Sequence, residues 1–477
     1  AITGTSRATV VRDYLSRLTT SRSAAMGVAA DVITGLLRKR NADGTATKVE
    51  GAVPTLTSTV YRLSVKGTPG PAAAGPFQGI NGYPVVVQNP LGWRRQDVVK
   101  VLLESKTSVH EAQGIVVMDE GGKPVAAQVQ ALLLGTDVVR SNPGYAFGLF
   151  FKVDLPPLGV RTYYVRQATK EERLTNSNEV LAKYVTTKLY TISSHTGKVE
   201  TPPRNGGQLR GAEAGGVNGA FERPSVFPEA GLTIENNEVL VKFQSGRGLI
   251  KSVTSKGNAD VGELEASQEY MYYTSSRSGA YIFRPHGQAH GIRVGHTLAI
   301  AIAQGPLVQQ VQYFDDNTHQ STRVLSVPGE LSKVVQILTS VTASMNNEVV
   351  VRFNTNLGTN HIFYSDNSVD MQKREHSSNK PIPANFYPMN TAASLKTDAK
   401  QMTFINRQPM GVASLVHEES KSSLEVMLHR CLSQDDGRGL AQGVHDSSRT
   451  QAPLWMIVGT PSETEAMYRR VRHHRAR

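Results

Sequence analysis

Residues 239–253, VLVKFQSGRGLIKSV, decide the reading of the fold. They hold two strand candidates, Glu238 to Phe243 and Leu249 to Val253, both short and rich in β-branched and apolar residues. Between them runs Gln244-Ser245-Gly246-Arg247-Gly248, whose glycines and serine interrupt regular structure. The same texture continues downstream in Thr297 to Ile302, Leu307 to Tyr313, Val334 to Val341, Glu348 to Phe353, Thr403 to Asn406 and Ser423 to Leu428. Few helical patterns interrupt these runs and no tandem period is evident. A region this long and this rich in strands reads as a large multi-sheet β-sandwich.

Upstream, a shorter set of strand candidates runs from Val85-Val86-Val87 through Val98 to Leu103, Gly114 to Met118, Ala126 to Leu134, Gly148 to Val153 and Arg161 to Val165. Turn signals at Glu120-Gly121-Gly122-Lys123-Pro124 and Pro156-Pro157-Leu158-Gly159 separate them, as in a small β-sandwich. The N-terminal residues differ. Val10, Val11, Tyr14, Leu15 and Leu18 recur at helical spacing, as do Val28, Val32, Ile33, Leu36 and Leu37. With polar Thr19 to Ser23 between the two stretches, an antiparallel helical hairpin is expected. The expected organisation is therefore mainly β: a helical portion over 1–48, a small β-sandwich over 49–168 and a large β-sandwich over 169–477, with a Gly-rich loop near 196–225.

The 477 residues exceed one ordinary core, and 39% hydrophobic with 19% charged residues fits a folded globular chain. The formal net charge of +12 is scattered except in Arg469 to Arg477, five Arg and two His, which reads as a solvated basic tail. No nucleic-acid-binding signature accompanies it, and no nucleic-acid partner is expected. No run of about 18 apolar residues occurs, so no spanning helix is expected. The chain opens at Ala1 without a visible signal peptide, and it contains no Asn-x-Ser/Thr sequon. With Cys431 the single cysteine, no internal disulfide can form.

A self-contained active site is not legible. No His-Glu-x-x-His, Gly-x-Ser-x-Gly or Walker loop is present. His286 and His290 have helical ligand spacing but sit in a Gly- and Pro-rich segment that disfavours a helix. Asp315-Asp316 and Asp435-Asp436 are adjacent carboxylates, which on a strand point to opposite faces rather than across a substrate. Asp435-Asp436-Gly437-Arg438-Gly439 reads as a turn closed by an internal ion pair.

Several segments resemble glycoside hydrolase family 38, the α-mannosidases. Residues 1–6 with Val10 to Leu18 (VVRDYLSRL) resemble the stretch after the family's His-His-Asp motif. Val87 to Arg95 (VQNPLGWRR), Pro156 to Gly159 with Tyr163, and Ile234-Glu235-Asn236 followed by 239–253 are similar to its sandwich strands. Ser278 to Phe283 (SGAYIF), Gly305-Pro306-Leu307-Val308, Phe363 to Asp366, Met371 to Arg374, Asn385 to Pro388, Gly411 to Leu415 and Leu428 to Gly443 (LHRCLSQDDGRGLAQG) follow in family order.

The resemblance implies a lysosomal or Golgi mannosidase II type of enzyme and a galactose-mutarotase-like large sandwich. It also implies zinc in the intact enzyme and retaining hydrolysis of terminal α-D-mannosyl residues of N-glycans or oligosaccharides. The nucleophile and zinc ligands are expected on an N-terminal catalytic barrel outside this chain. The chain is accordingly expected to hold no catalytic or metal residue and to be inactive alone. Tyr281 and Arg438 match family residues at the substrate pocket and are expected to bind mannose-containing glycans. A lysosomal or other secretory-pathway compartment follows from the same resemblance. The alternative is a non-catalytic carbohydrate-binding or assembly module.

Overall fold

The computed structural model describes residues 7–37, 62–63, 82–103, 107–133, 145–175, 180–193, 199, 220–275, 277–292, 297–418 and 421–475. Most of the Gly-rich stretch near 196–225 lies outside them, as do 38–48. Among the described residues the strands form four sheets of three, five, nine and eleven strands, and the protein is mainly β.

The N-terminal segment corrects the expected hairpin. Ala8–Leu37 is one continuous α-helix. Thr19 to Ser23 contains neither Gly nor Pro, so nothing in it forces the chain to turn. The Thr19 and Thr20 hydroxyls instead donate to the carbonyls of Leu15 (2.7 Å) and Ser16 (3.1 Å) one turn back. Val10, Val11, Tyr14, Leu15 and Leu18 are exposed rather than packed against a second helix.

The smaller sandwich pairs a five-stranded sheet with a three-stranded one. Val101, Leu103, Val129, Phe147, Leu149 and Phe151 from the first meet Ile115, Val117, Tyr163 and Val165 from the second. The strand Lys183–Val185 joins this unit in parallel with Gln128–Gln130. The opposite face of the five-stranded sheet is also apolar. Leu102, Leu132, Ala146 and Phe150 pack on Leu307, Val308, Leu325, Val327 and Leu331 of the larger sandwich. Two glutamines bond across this junction: the buried Gln128 amide accepts the N–H groups of Leu307 (3.0 Å) and Val308 (3.1 Å) and donates to the Val308 carbonyl (2.8 Å), and Gln312 accepts the Leu133 N–H (3.0 Å) and donates to the Leu133 carbonyl (2.9 Å). Gly305 makes room for Gln128, since a Cβ there would lie 2.3 Å from the Gln128 amide carbon.

The larger sandwich packs the nine-stranded sheet on the eleven-stranded one around a single large core that includes Phe243, Ile250, Ile300, Ile337, Phe353, Phe404 and Met456. Three neighbouring strands of the nine-stranded sheet carry the candidate site: β1 (Glu263–Thr274), β2 (Asn347–Thr355) and β3 (Lys421–Cys431). They run antiparallel, with Thr274 opposite Asn347 and Asn347 opposite Cys431. The exit of β1, the entry of β2 and the exit of β3 therefore meet at one end of the sheet.

The basic C-terminus is also a correction. Pro461–Arg475 is a helix, not a loose tail. Met467, Tyr468 and Val471 recur at helical spacing and bury against Val334, Ile405, Trp455 and Ile457. The cations dominate the composition of this segment, but three apolar residues on one face are enough to dock it.

Candidate functional site

At the end of the sheet where β1 to β3 meet, two loops approach each other, 275–284 after β1 and 433–439 after β3. Asn346, just before β2, clasps both. Its backbone lies in the left-handed region (φ 63°), which asparagine tolerates better than most residues. Its N–H donates to the Cys431 carbonyl (2.7 Å) and its carbonyl accepts the Ser275 N–H (2.9 Å). Its side-chain oxygen accepts the Ser433 N–H (2.9 Å) and hydroxyl (2.7 Å).

Beneath the loops, Glu348 of β2 is fully buried and pairs with Arg430 of β3 at 2.6 Å. Arg430 also donates to the Ile282 carbonyl (3.0 Å), and the Ser278 hydroxyl donates to Glu348 (3.0 Å). Desolvation raises the Glu348 carboxyl above its usual range, against the opposing pull of Arg430. Ser278 Oγ in turn accepts the Arg284 N–H (2.7 Å). Phe283 seats in an edge-to-face aromatic cluster, its ring centroid 5.2 Å from both Tyr273 and Phe386. The base of the 275–284 loop is thus held by charge, hydrogen bonds and rings together.

Asp436 joins the two loop tips. One carboxylate oxygen accepts the N–H groups of Tyr281 (2.7 Å) and Ile282 (3.0 Å), and the other lies 3.3 Å from the Arg438 N–H. Desolvation, the largest single influence, works against ionisation here. The backbone donors together outweigh it and hold the Asp436 carboxyl below the usual carboxylate range. Gly279 lies directly against Asp436: a Cβ there would come within 2.5 Å of the Asp436 Cβ. Gln434 adds a donation to the Ser278 carbonyl (2.7 Å). Gly437 and Gly439 both have positive φ, 71° and 93°, which fixes the course of the second loop.

Tyr281, 42% exposed, and the exposed Arg438 are therefore brought to one place by a shared carboxylate. The expected ion pair inside residues 435–439 is corrected: Asp436 serves backbone donors, and no ion pair joins it to Arg438 among the described residues. A phenol and a guanidinium carried on two loops joined by one carboxylate are groups that can hydrogen-bond the hydroxyls of a polyol, whereas Asp436 is occupied by backbone donors. Asn346, Ser278, Glu348 and Arg430 were not singled out from the sequence. The signal for Asn346 was an Asn-Asn pair directly before a strand; a Glu and an Arg in separate strands give no sign of being partners.

Other candidates settle simply. Cys431 is buried, and desolvation raises its thiol. Asp315 accepts the N–H groups of Asn317 (2.8 Å) and Thr318 (2.6 Å) and so builds a turn. His290 lies in a two-residue strand beside β1, not on a helix. Among the described residues no group of three or more His, Cys, Asp or Glu could hold a metal ion, and no helix is long and apolar enough to cross a membrane.

Comparison with known proteins finds similarity over the part of the chain that contains these loops. Residues 234–438 match the profile of the glycosyl hydrolases family 38 C-terminal domain. The chain is 28% identical over 382 residues to alpha-mannosidase 2 of Homo sapiens, covering 78% of this chain and 29% of that protein. It is 27% identical to alpha-mannosidase 2 of Rattus norvegicus over 96% of this chain and 36% of that protein. It is 26% identical to the lysosomal alpha-mannosidase of Dictyostelium discoideum, over 94% and 41% respectively. The chain thus spans roughly a third of the length of these relatives. A solved family 38 protein from Enterococcus faecalis aligns over 83% of this chain and 46% of its own, with 14% identity and a TM-score of 0.48. Tyr281 and Arg438 both fall within residues 234–438, the span that is similar to the family 38 C-terminal domain.

Proposed function

We propose that this chain is the C-terminal part of a retaining, zinc-dependent α-mannosidase acting on terminal α-D-mannosyl residues of N-glycans or oligosaccharides, in the lysosome or another secretory-pathway compartment. Its role in that enzyme is to complete the sugar pocket. The observation that carries this reading is the pairing of the Tyr281 and Arg438 loops by Asp436 within the family-matched span. Tyr281 would hydrogen-bond a sugar hydroxyl through its phenol, and Arg438, whose backbone is held by the same carboxylate, would supply a guanidinium at that rim. Among the described residues no group of three or more His, Cys, Asp or Glu could hold a metal ion, and this reading assigns the catalytic zinc and the two carboxylates of a retaining mechanism to an N-terminal catalytic barrel. No chemical step is assigned to this chain.

The first test is the size of the native polypeptide, read on a denaturing gel with an antibody against residues 230–440, together with α-mannosidase activity in the immunoprecipitate. A band well above 51.8 kDa with activity, or a co-purifying barrel chain with activity, supports the proposal. A partnerless band near 51.8 kDa without activity overturns it. It would favour a non-catalytic carbohydrate-binding module, which calorimetry with mannobiose would then detect. In the active enzyme, Tyr281→Phe is expected to lower kcat/KM by about 10- to 100-fold, the loss of one hydrogen bond of roughly 1.5–3 kcal/mol.

A further inference from the structure

On the eleven-stranded sheet, well separated in sequence from the Tyr281 loop, two imidazoles face each other. His361 and His376 have ring centroids 6.2 Å apart and planes inclined by only 14°. They flank the hairpin Ile362–Asp366 and Met371–Glu375, and the His376 N–H donates to the His361 carbonyl at 2.8 Å.

The scaffold around them is stiff. Asn360 and His361 are consecutive non-glycine residues in the left-handed region, with φ of 47° and 66°, a costly backbone course that recurs at ligand clamps. Thr359 anchors the turn through its hydroxyl contact with Ser422 (2.9 Å). On the other side, Asn385 brackets Ser377 with bonds of 2.9 and 3.0 Å, and Tyr387 donates to the Glu375 carbonyl (3.2 Å). His376 Nδ1 is buried and has no hydrogen-bond partner, an expensive state for a nitrogen that water would otherwise solvate. Desolvation, and then the neighbouring His361, lowers the His376 pKa against an opposing backbone hydrogen bond to Ser414, which favours the ring form that keeps a lone pair.

We propose that His361 and His376 together bind a borderline divalent transition metal, such as Zn²⁺ or Cu²⁺, through one nitrogen each, with water completing the coordination. The reach is right. A metal about 2.0–2.1 Å from each nitrogen lies about 3.2 Å from each ring centre, so two imidazoles sharing it have centroids at most about 6.4 Å apart. His361 is exposed, so an ion can approach it from solvent. Among the described residues no third His, Cys, Asp or Glu joins the pair, which makes this a modest-affinity site for imidazole-preferring metals rather than a structural cage. The site does not depend on the glycosidase reading.

The test is calorimetric titration of the full chain with zinc chloride at pH 7.5, comparing wild type with H361A, H376Q and the control H110A. Wild type and H110A are expected to bind one more equivalent of zinc than either H361A or H376Q. Because His361 is exposed, H361A keeps the fold and decides the matter if H376Q does not fold. Undiminished stoichiometry in H361A overturns the proposal and leaves a simple ring stack.

Discussion

Asp436 carries much of the order at the rim, and its protonation state sets when that order is lost. Its folded pKa is depressed, so the stability it contributes is fully present above the ordinary carboxylate value of 3.8 and disappears as pH falls through the lower folded value. The Tyr281 and Ile282 amides should therefore stay protected from hydrogen exchange at pH 4.5. In Asp436→Ala they should exchange about tenfold or more faster, and Asp436→Asn should fall between. His319 acts in the same sense at a higher pH. Desolvation, with a smaller push from Arg449, lowers its pKa to about 3, so protons bind the unfolded chain preferentially between about 3 and 6.5. Stability should fall as pH drops below 6.5, by up to about 1.4 kcal/mol per pH unit. Urea midpoints at pH 7 and pH 5 check this, and His319→Gln should flatten the difference. Neither role was legible from sequence: Asp436 read as half of a local ion pair because its real partners lie about 155 residues away, and His319 read as one His among many.

At the scale of elements, β2 and β3 are pinned by two buried ion pairs of opposite polarity. Glu348 stands opposite Arg430, and Arg352 opposite Glu425. A slip of one residue would place these charges against apolar positions, so they fix register as much as they add stability. Arg430→Ala would leave Glu348 buried without its cation and should cost about 3–5 kcal/mol by urea denaturation. Met467→Ala in the C-terminal helix should cost about 2–3 kcal/mol. The sequence located most of the strands; Val334–Val341 has the expected bounds, and Asn347–Thr355 lies within one or two residues of them. It missed β1, although Leu264, Ala266, Gln268 and Tyr270 alternate inward along it. Its three glutamates dilute the apolar pattern, although Glu263 and Glu265 sit on the exposed face. Since Lys183–Val185 pairs with the five-stranded sheet, we propose that the small sandwich ends near Thr186.

For the molecule as a whole, the mainly β architecture was legible because alternating apolar runs and turn residues are local signals. The junction between the sandwiches was not, because Gln128 and Gly305 are recognisable as partners only once folded. Gly305→Ala should displace the Gln128 amide and release three hydrogen bonds, lowering the thermal midpoint while the small core stays intact. The exposed apolar face of the Ala8–Leu37 helix should bind a hydrophobic dye, and deletion of residues 1–37 should remove that signal.

The placement of Asp436 also has a consequence in time. Chains emerge from the ribosome N-terminus first, and the strand order here is β1, then β2, then β3. Tyr281 is translated long before the aspartate that fixes its backbone. Until β3 has docked and residues 433–438 have followed it, the earlier loop lacks both Asp436 and the Arg430 contact to Ile282. A nascent chain stalled before Cys431 would already contain most of the sandwich core yet lack the carboxylate that joins the two loops, so the proposed sugar binding should arrive late and abruptly during synthesis.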